Sequence, residues 1–378
     1  MDQERYLGET TPKLGFGFMR LPKLEGGSFD IEQIKAMVDR FMDAGLTYFD
    51  TAYVYDKGGS ERALKEALVD RYPRERFTVA TKVNARVATS AEDARQQLAT
   101  SLERTGAGYF DYYLLHAVQE SNIGAYDEYG LWDFVREQKE AGTIRHWGFS
   151  FHGTPALLEE LLTKHPDAEF VQLQINYADW EHPEVASRTV YEIARKHGKP
   201  VVIMEPVKGG MLANPIPQVQ ELLRAANPDA SFASWAIRYA ASLEGVITVL
   251  SGMSNLEQVD DNISYMRDFQ PLSAEEQRVI GAAQEVFASM DSIPCTACRY
   301  CTDGCPMHIP IPSIFAARNK QTVWGLNEQA KKDYEEAAGV EGAGRADACI
   351  ACGQCEAACP QHIHIIDALR DCAEAFEG

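Results

Sequence analysis

Basic residues are scarce relative to acidic ones in this chain of 378 residues. Lys and Arg number 36 against 56 Asp and Glu, which gives a formal net charge of −20 at pH 7. Binding to nucleic acid or to an anionic membrane needs basic surface, so this balance argues against both. No run of eighteen apolar residues occurs, and residues 1–5 lack the basic and apolar regions of a secretory signal peptide. The sequence therefore predicts a cytoplasmic protein that spans no membrane and binds no nucleic acid.

Cysteine is absent from the first 294 residues, and all nine cysteines lie at or after Cys295. Disulfide frameworks are typical of small secreted domains and do not fit this distribution. Cysteines confined to one end of the chain favour a metal site in a separate domain. We therefore predict two domains, a larger one over residues 1–290 and a smaller one over residues 291–378.

Short apolar, β-rich runs alternate with helical patterns across residues 13–268, and they form eight strand–helix units. The expected strands are residues 14–19, 47–52, 77–84, 111–117, 144–151, 170–177, 200–207 and 246–252. Eight such units in roughly 250 residues predict an α/β fold, a (β/α)8 barrel of the TIM type. A doubly wound parallel sheet is the alternative, and the number of units favours the barrel. One further helix should begin at Ser273, which forms a capping-box pattern with Glu276.

The cysteines form two groups with the same spacing, each followed by proline. The groups are Cys295, Cys298, Cys301 and Cys305, and Cys349, Cys352, Cys355 and Cys359. The repeated pattern resembles that of bacterial-type dicluster ferredoxins, in which the fourth cysteine of each group binds the other cluster. The resemblance implies two [4Fe–4S] clusters, one on Cys295, Cys298, Cys301 and Cys359, the other on Cys349, Cys352, Cys355 and Cys305. Zinc is the alternative, but the third cysteine and the Cys-Pro of each group have no role in a zinc site.

The 43 residues between the two groups exceed what a compact ferredoxin needs, and residues 313–339 have a helical pattern. The segment therefore resembles the small, mainly α-helical dicluster ferredoxin modules that transfer electrons within larger reductases. Cys372 lies outside both groups and is expected to be a structural or free thiol.

Four polar residues fall at or just after the ends of expected strands, where barrel enzymes place their chemistry. They are Asp50, Tyr55, Lys82 and His116. Together they resemble the catalytic tetrad of the aldo-keto reductase family. The likeness extends to the segment 59–61, to Gln174, and to the segment 251–262 with Gln258 and Asn262.

The resemblance implies a mechanism for reducing a carbonyl group. Tyr55 would be the general acid that protonates the carbonyl oxygen as hydride reaches the carbon. Lys82 would lower the pKa of Tyr55, which is about 10 when unperturbed. Asp50 would hold Lys82 charged, and His116 would donate a hydrogen bond to the carbonyl oxygen.

The cofactor-binding residues depart from the family pattern. The resemblance assigns this role to Ser150, Gln174, Met204, Gly252, Ser254, Gln258 and Asn262. Met204 stands where the family has an aromatic residue that stacks on the nicotinamide ring, and Phe151 stands where asparagine is usual. Residues 252–257 contain no Lys or Arg to hold an NADP 2′-phosphate. NAD(P)H remains the expected cofactor because the family resemblance covers the whole barrel. NAD fits the missing basic residue better, because it has no 2′-phosphate, and FMN is the alternative.

The combination of barrel and clusters leaves three functional hypotheses open. The first is an oxidoreductase that reduces a small-molecule carbonyl substrate and exchanges electrons through the clusters, with a redox protein as a possible partner. Flavin couples hydride chemistry to one-electron transfer, so an FMN-containing, ferredoxin-linked enzyme is a variant of this hypothesis. The second is an electron-transfer module with a non-catalytic barrel, and the third, weaker one is a redox sensor.

Overall fold

The computed structural model describes residues 4–182, 185–290, 292–293, 295, 300–359 and 363–378. These residues divide into two compact units. The larger unit comprises residues 4–181, 185–214 and 226–280, and the smaller comprises residue 182, residues 215–225 and the described part of 281–378. Within the described part of the chain, no helix has both the length and the apolar character needed to cross a membrane.

Eight parallel strands form a closed barrel in the larger unit. They are β1 (Leu14–Gly17), β2 (Tyr48–Asp50), β3 (Thr78–Val83), β4 (Phe110–Val118), β5 (Ile144–Phe151), β6 (Phe170–Gln174), β7 (Val201–Met204) and β8 (Val246–Ser251). Each strand pairs with the next along the chain, and β1 pairs with β8. The predicted (β/α)8 barrel is therefore confirmed, and the doubly wound alternative is wrong.

Side chains of successive strand residues point alternately into the barrel and towards the surrounding helices, because the period of a strand is two residues. Buried aromatic and aliphatic residues fill the barrel interior. The interior cluster consists of Tyr48, Ala80, Tyr112, Leu114, Phe170, Val202, Ile247 and Leu250. This packing makes the barrel interior a solid core, not an open channel.

Helices follow the strands around the barrel. Up to residue 288 the helices are α1 (Ile31–Asp43), α2 (Gly59–Leu64), α3 (Ala91–Thr105), α4 (Ile123–Glu128), α5 (Leu131–Glu140), α6 (Pro155–Lys164), α7 (Ser187–Lys196), α8 (Pro217–Ala226), α9 (Phe232–Ala241), α10 (Leu256–Met266) and α11 (Ala274–Ala288). All but the last residue of α8, and the second half of α11, belong to the smaller unit. The Asp30 side chain caps α1 by accepting from the Gln33 N–H. The capping box before α11 is confirmed, since Ser273 Oγ accepts from Glu276 N–H and the Ser273 N–H donates to the Glu276 carboxylate.

The smaller unit is helical. Besides α8 and the second half of α11, its described helices are α12 (Tyr300–Asp303), α13 (Ile311–Trp324), α14 (Asn327–Ala338), α15 (Gln354–Ala358) and α16 (Ile365–Phe376). The helical pattern over residues 313–339 corresponds to α13 and α14, which Gly325 separates with a left-handed φ of 64°. Tyr334 of α14 stacks on Phe376 of α16, with ring centroids 4.7 Å apart. The stacked pair joins α14 and α16 within the core of the smaller unit.

Candidate active site and cysteine centre

A cavity of about 730 Å³ opens at the end of the barrel where the strands terminate. The last residues of several strands or the residues just after them line it, among them Asp50, Ser150, Met204 and Ser251. All described lining residues belong to the larger unit. Barrel enzymes place their chemistry at this end, and the volume is in the range of small-molecule and cofactor sites.

Lys82 has a hydrogen-bond partner for each of its three ammonium protons. Its Nζ donates to Asp50 Oδ1 at 2.6 Å and to the Thr51 carbonyl at 2.7 Å, and it lies 3.4 Å from the Tyr55 hydroxyl. The lysine is completely buried on β3, and Asp50 is buried at the end of β2. A buried charge is stable only when it is paired and hydrogen-bonded, and this geometry provides both.

Burial and charge set the pKa values of this group. Burial would lower the pKa of Lys82, but the neighbouring Asp50 and Tyr55 outweigh it and raise that pKa above the usual value. Burial also raises the pKa of Asp50, and the adjoining ammonium opposes that rise. For Tyr55, burial raises the pKa and exceeds the lowering by Lys82. Lys82 thus lowers the pKa of Tyr55 as expected, but burial outweighs that effect and raises the pKa overall, so the phenol retains its proton at neutral pH.

His116, at the end of β4, faces the same cavity as Tyr55. The two rings meet edge to face, with centroids 5.6 Å apart. Burial, with the Lys82 charge as a second cause, holds the pKa of His116 well below its usual value. The imidazole is therefore neutral at pH 7 and carries a single N–H, next to a phenol that also carries its proton.

An ion pair between the half-buried Arg104 and the buried Glu61 fixes the loop that carries Tyr55. Arg104 on α3 donates to Glu61 at 3.1 Å and to the Tyr53 carbonyl at 3.0 Å. Glu61 also accepts from the Thr81 hydroxyl of β3 at 2.9 Å. The 59–61 segment that contributed to the family resemblance thus has a structural task, which is to hold the tyrosine loop against β3.

Six of the seven residues that the resemblance assigned to a cofactor line the cavity. They are Ser150, Met204, Gly252, Ser254, Gln258 and Asn262. Gln174 is not among the described lining residues, and its amide lies 3.5 Å from the Asp179 carboxylate. Gln172, two residues earlier on β6, lines the cavity instead. Residues two apart on a strand share a side, so the sequence could not separate the two glutamines.

Gln172 is a site residue that the sequence reasoning missed. It is 2% exposed, its Nε2 contacts the Met204 sulfur at 3.4 Å, and its Oε1 has no hydrogen-bond partner within the described structure. A buried acceptor without a partner is costly unless a ligand satisfies it. His152 and Glu205 also line the cavity and were missed, since neither lies in a motif that the sequence analysis used.

Hydrogen bonds within the chain already engage the segment after β8. The Ser254 N–H donates to Gln258 Oε1, and Asn262 Nδ2 donates to the Ser251 hydroxyl, both at 2.7 Å. Gln258 and Asn262 therefore shape the segment. The N–H of Ser254, one of the residues that the resemblance assigned to the cofactor, therefore has a partner within the chain.

Acidic residues outnumber basic ones in the wall of the cavity. Glu205, Glu257 and Asp261 line it together with Arg20, the one Lys or Arg in the described lining. Arg20 lies 3.5 Å from the Glu205 carboxylate. The cavity wall thus repels additional negative charge more than it attracts it.

Four cysteines from the two sequence groups meet in the smaller unit. Cys305, Cys349, Cys352 and Cys355 line one small cavity whose other walls are apolar, with Ile309 and Leu369 among them. This is the set that the ferredoxin resemblance assigned to one cluster. The lining thus combines three cysteines of the second group with the last cysteine of the first, as the resemblance implies for one cluster.

The structure describes all but one of the remaining cysteines. Cys295, Cys301 and Cys359 pack in the hydrophobic core of the smaller unit, and Cys298, the fourth member of their assigned set, lies outside the described residues. Cys372 is completely buried in the same core, and burial raises the pKa of its thiol to about 12. Cys372 is therefore an inert packing residue at neutral pH.

Two family models match the chain. Residues 13–285 match the aldo/keto reductase family, and residues 294–364 match a 4Fe-4S dicluster domain. An uncharacterized oxidoreductase, YqkF, from Bacillus subtilis is 26% identical over 270 residues, which cover 62% of this chain and 83% of the relative. The two matches lie one after the other along the chain, as the sequence predicted.

Solved structures show the same barrel. The holo form of an aldo-keto reductase, AKR11C1, from Bacillus halodurans has a TM-score of 0.58 and 26% identity, over 74% of this chain and 95% of that chain. An aldo/keto reductase from Klebsiella pneumoniae, solved with NADP and acetate, has a TM-score of 0.60 and 23% identity, over 72% and 92% of the two chains. At that identity the second likeness concerns the fold alone. The protein belongs to the aldo/keto reductase family and is an oxidoreductase with a 4Fe-4S dicluster domain after its barrel.

Proposed function

We propose that this chain reduces the carbonyl group of a small molecule at the barrel cavity, with Tyr55 as the general acid. The main support is the buried Asp50–Lys82–Tyr55 chain of contacts, with Lys82 Nζ 2.6 Å from the carboxylate and 3.4 Å from the phenol. A structural ion pair alone would not need a hydroxyl group that faces a cavity. General acid catalysis requires such a group.

In the proposed reaction a carbonyl carbon receives hydride and the carbonyl oxygen receives a proton, which gives an alcohol. A reduced nicotinamide bound in the cavity would supply the hydride. Tyr55 enters the reaction protonated and transfers its proton to the oxygen. Lys82, held charged by Asp50, stabilises the phenolate that remains. His116 donates its N–H to the same oxygen and fixes the position of the carbonyl group.

The charges around the cavity favour NADH over NADPH. Arg20 is engaged by Glu205, and Glu257 and Asp261 add negative charge near the segment after β8. A 2′-phosphate would need paired basic groups there, whereas a ribose without that phosphate would not.

The cysteine centre is proposed to hold two [4Fe–4S] clusters on the two sets of cysteines named above. The shared cavity of Cys305, Cys349, Cys352 and Cys355 supports the second set. Each cluster passes one electron at a time, so the clusters would exchange electrons with a redox protein. The net charge of −20 would attract a partner with a basic surface.

FMN remains the second candidate for the barrel cofactor. Met204 lies in the cavity wall at the position where the family has a ring-stacking aromatic, and clusters that pass single electrons couple naturally to a flavin. The test is to denature protein purified without oxygen and identify the small molecules released. Released FMN would favour the flavin, whereas its absence together with saturable NADH binding would favour the nicotinamide.

Replacement of Tyr55 by phenylalanine tests the general acid. We expect kcat for reduction of 4-nitrobenzaldehyde with NADH to fall by roughly 10²–10⁴-fold, the usual contribution of such a group. Tyr109→Phe is the matched control, because it also removes a tyrosine hydroxyl, next to the start of β4. The ring that remains can still contact the Arg74 and Arg145 guanidinium groups. A Tyr55→Phe protein with the kcat of the control would refute the proposal.

A further inference from the structure

We propose that Asn84 is a positioning residue that keeps the single proton of His116 on Nε2, so that the imidazole donates a hydrogen bond into the cavity. The inference rests on the proposed function, because it concerns how the ring meets a carbonyl oxygen. Asn84 follows β3 directly, and its Nδ2 lies 3.4 Å from His116 Nδ1. Nothing in the tetrad itself determines which ring nitrogen carries the proton.

The orientation of the Asn84 amide follows from its other neighbour. The backbone N–H of Arg86 lies 2.9 Å from Asn84 Oδ1. A backbone N–H can only donate, so the oxygen of the amide must face Arg86 and the NH₂ group must face His116. An NH₂ group can only donate as well. His116 Nδ1 must therefore be the unprotonated nitrogen, and Nε2 carries the proton.

Asn84 is itself held at both backbone groups by one side chain. Its N–H donates to Gln97 Oε1 at 2.9 Å, and its carbonyl accepts from Gln97 Nε2 at 3.0 Å. Asn84 is 8% and Gln97 is 2% exposed, so water competes little for these bonds. The amide of Gln97, on α3, thus holds the end of β3 in the geometry that directs Asn84 at the ring.

Neutrality of the ring makes the position of its proton decisive. The titratable or charged groups that face His116 are Lys82 from β3, Tyr55 from the loop after β2 and His152 after β5. Burial and Lys82 keep the ring neutral, so only one nitrogen carries a proton. With the proton on Nε2 the ring donates to a carbonyl oxygen. With the proton on Nδ1 it would present a lone pair to that oxygen and repel it.

Asn84→Asp reverses the arrangement with little change of shape. One carboxylate oxygen can still accept from the Arg86 N–H, but the other can only accept from His116 and draws the proton to Nδ1. We expect kcat for carbonyl reduction at pH 8 to fall by roughly 10²-fold, the usual effect of losing one donor to a developing oxyanion. The added carboxylate also favours the imidazolium, which carries a proton on both nitrogens. The kcat of the variant relative to wild type should therefore rise as the pH is lowered.

Two controls separate this effect from a loss of structure. Asn227→Asp makes the same change at a half-buried asparagine, remote in sequence from the site, whose oxygen accepts from the Asp229 N–H, and it should leave kcat unchanged. In a His116→Gln background, Asn84→Asp should change kcat by less than about 3-fold, since the two residues then no longer interact. An equal loss in both backgrounds would show that Asn84 does not act through His116 and would overturn the proposal.

The proton can also be located without any turnover. ¹⁵N-histidine NMR of the holoprotein distinguishes protonated from unprotonated ring nitrogens, and the His116 signals are those missing from His116→Gln. We expect protonated Nε2 in the wild type and protonated Nδ1 in Asn84→Asp. A wild-type ring protonated on Nδ1 would overturn the inference even if that variant cannot be purified. If the protein reduces no carbonyl compound, the proposed function fails, and the NMR result still decides the role of Asn84.

Discussion

Replacing Asp50 by asparagine would leave a fully buried ammonium without the carboxylate that faces it. Lys82 is 0% exposed, and the two groups lie 2.6 Å apart. Removing one partner of a buried pair costs about 3–5 kcal/mol, because the other charge is left uncompensated. For a domain of this size each kcal/mol lowers Tm by roughly 2 °C, so we expect Asp50→Asn to lower Tm by about 6–10 °C.

The double variant Asp50→Asn/Lys82→Met sharpens the prediction. If the two losses were independent, they would add to about 6–10 kcal/mol. Removing both charges leaves no unpaired group, so the double variant should be no less stable than either single one.

Thermal unfolding of the holoprotein at a fixed scan rate, monitored by tryptophan fluorescence, gives the Tm of the wild type and of each variant. Four of the five tryptophans lie in the larger unit and report on the barrel: Trp132, Trp147, Trp180 and Trp235. An Asp50→Asn protein whose Tm is within about 2 °C of wild type would refute the reasoning, as would additive losses in the double variant.

Three further predictions concern the pH profile, the tyrosine loop and the cysteines. Because burial raises the pKa of Tyr55 above its usual value of 10, the acid form persists to higher pH, and kcat should fall only above pH 10; a midpoint near pH 8 would contradict this. Gly58→Ala should destabilise the barrel by about 1–2 kcal/mol more than Gly45→Ala in thermal unfolding. Both glycines have a left-handed φ, but only a Cβ at Gly58 would lie within 3 Å of an arginine side chain. Equal losses of stability in the two variants would show that this contact is harmless. Cys305→Ser should lower the iron content by about half, the loss of one of two clusters, whereas Cys372→Ala should leave it unchanged; iron and sulfide analysis of protein purified without oxygen checks both, and a full complement in Cys305→Ser would exclude it as a ligand.

The parts of the molecule that could be predicted are those with a strong periodic or spacing signal. Eight apolar runs separated by helical patterns determine the barrel, because few folds bury so many parallel strands on both faces. The tetrad was identified by its resemblance to the family pattern, which fits the position of its residues at or just after the ends of successive strands of a parallel barrel. The cysteine spacing indicated the second unit in the same direct way.

The features that could not be predicted depend on how deeply a side chain is buried and on which side-chain atoms are in contact. The sequence places Lys82 near Tyr55 but does not say how deeply the phenol is buried, and burial decides the direction of its pKa shift. It also does not distinguish Gln172 from Gln174, which lie two residues apart on β6 and therefore point to the same side of the strand. Asn84 carries no motif at all, and only the contact with His116 across two strands indicates its role.

The pairing of β1 with β8 has a consequence for how the chain is made. Leu14 in the first strand pairs with Val249 in the last, so the barrel cannot close until nearly all of it has left the ribosome. Until then the edge of β1 remains unpaired and able to associate with other chains. Long-range closure of this kind is slow, and such intermediates are prone to aggregate. We therefore expect synthesis of the full barrel to depend on chaperones more strongly than synthesis of the helical unit that follows it.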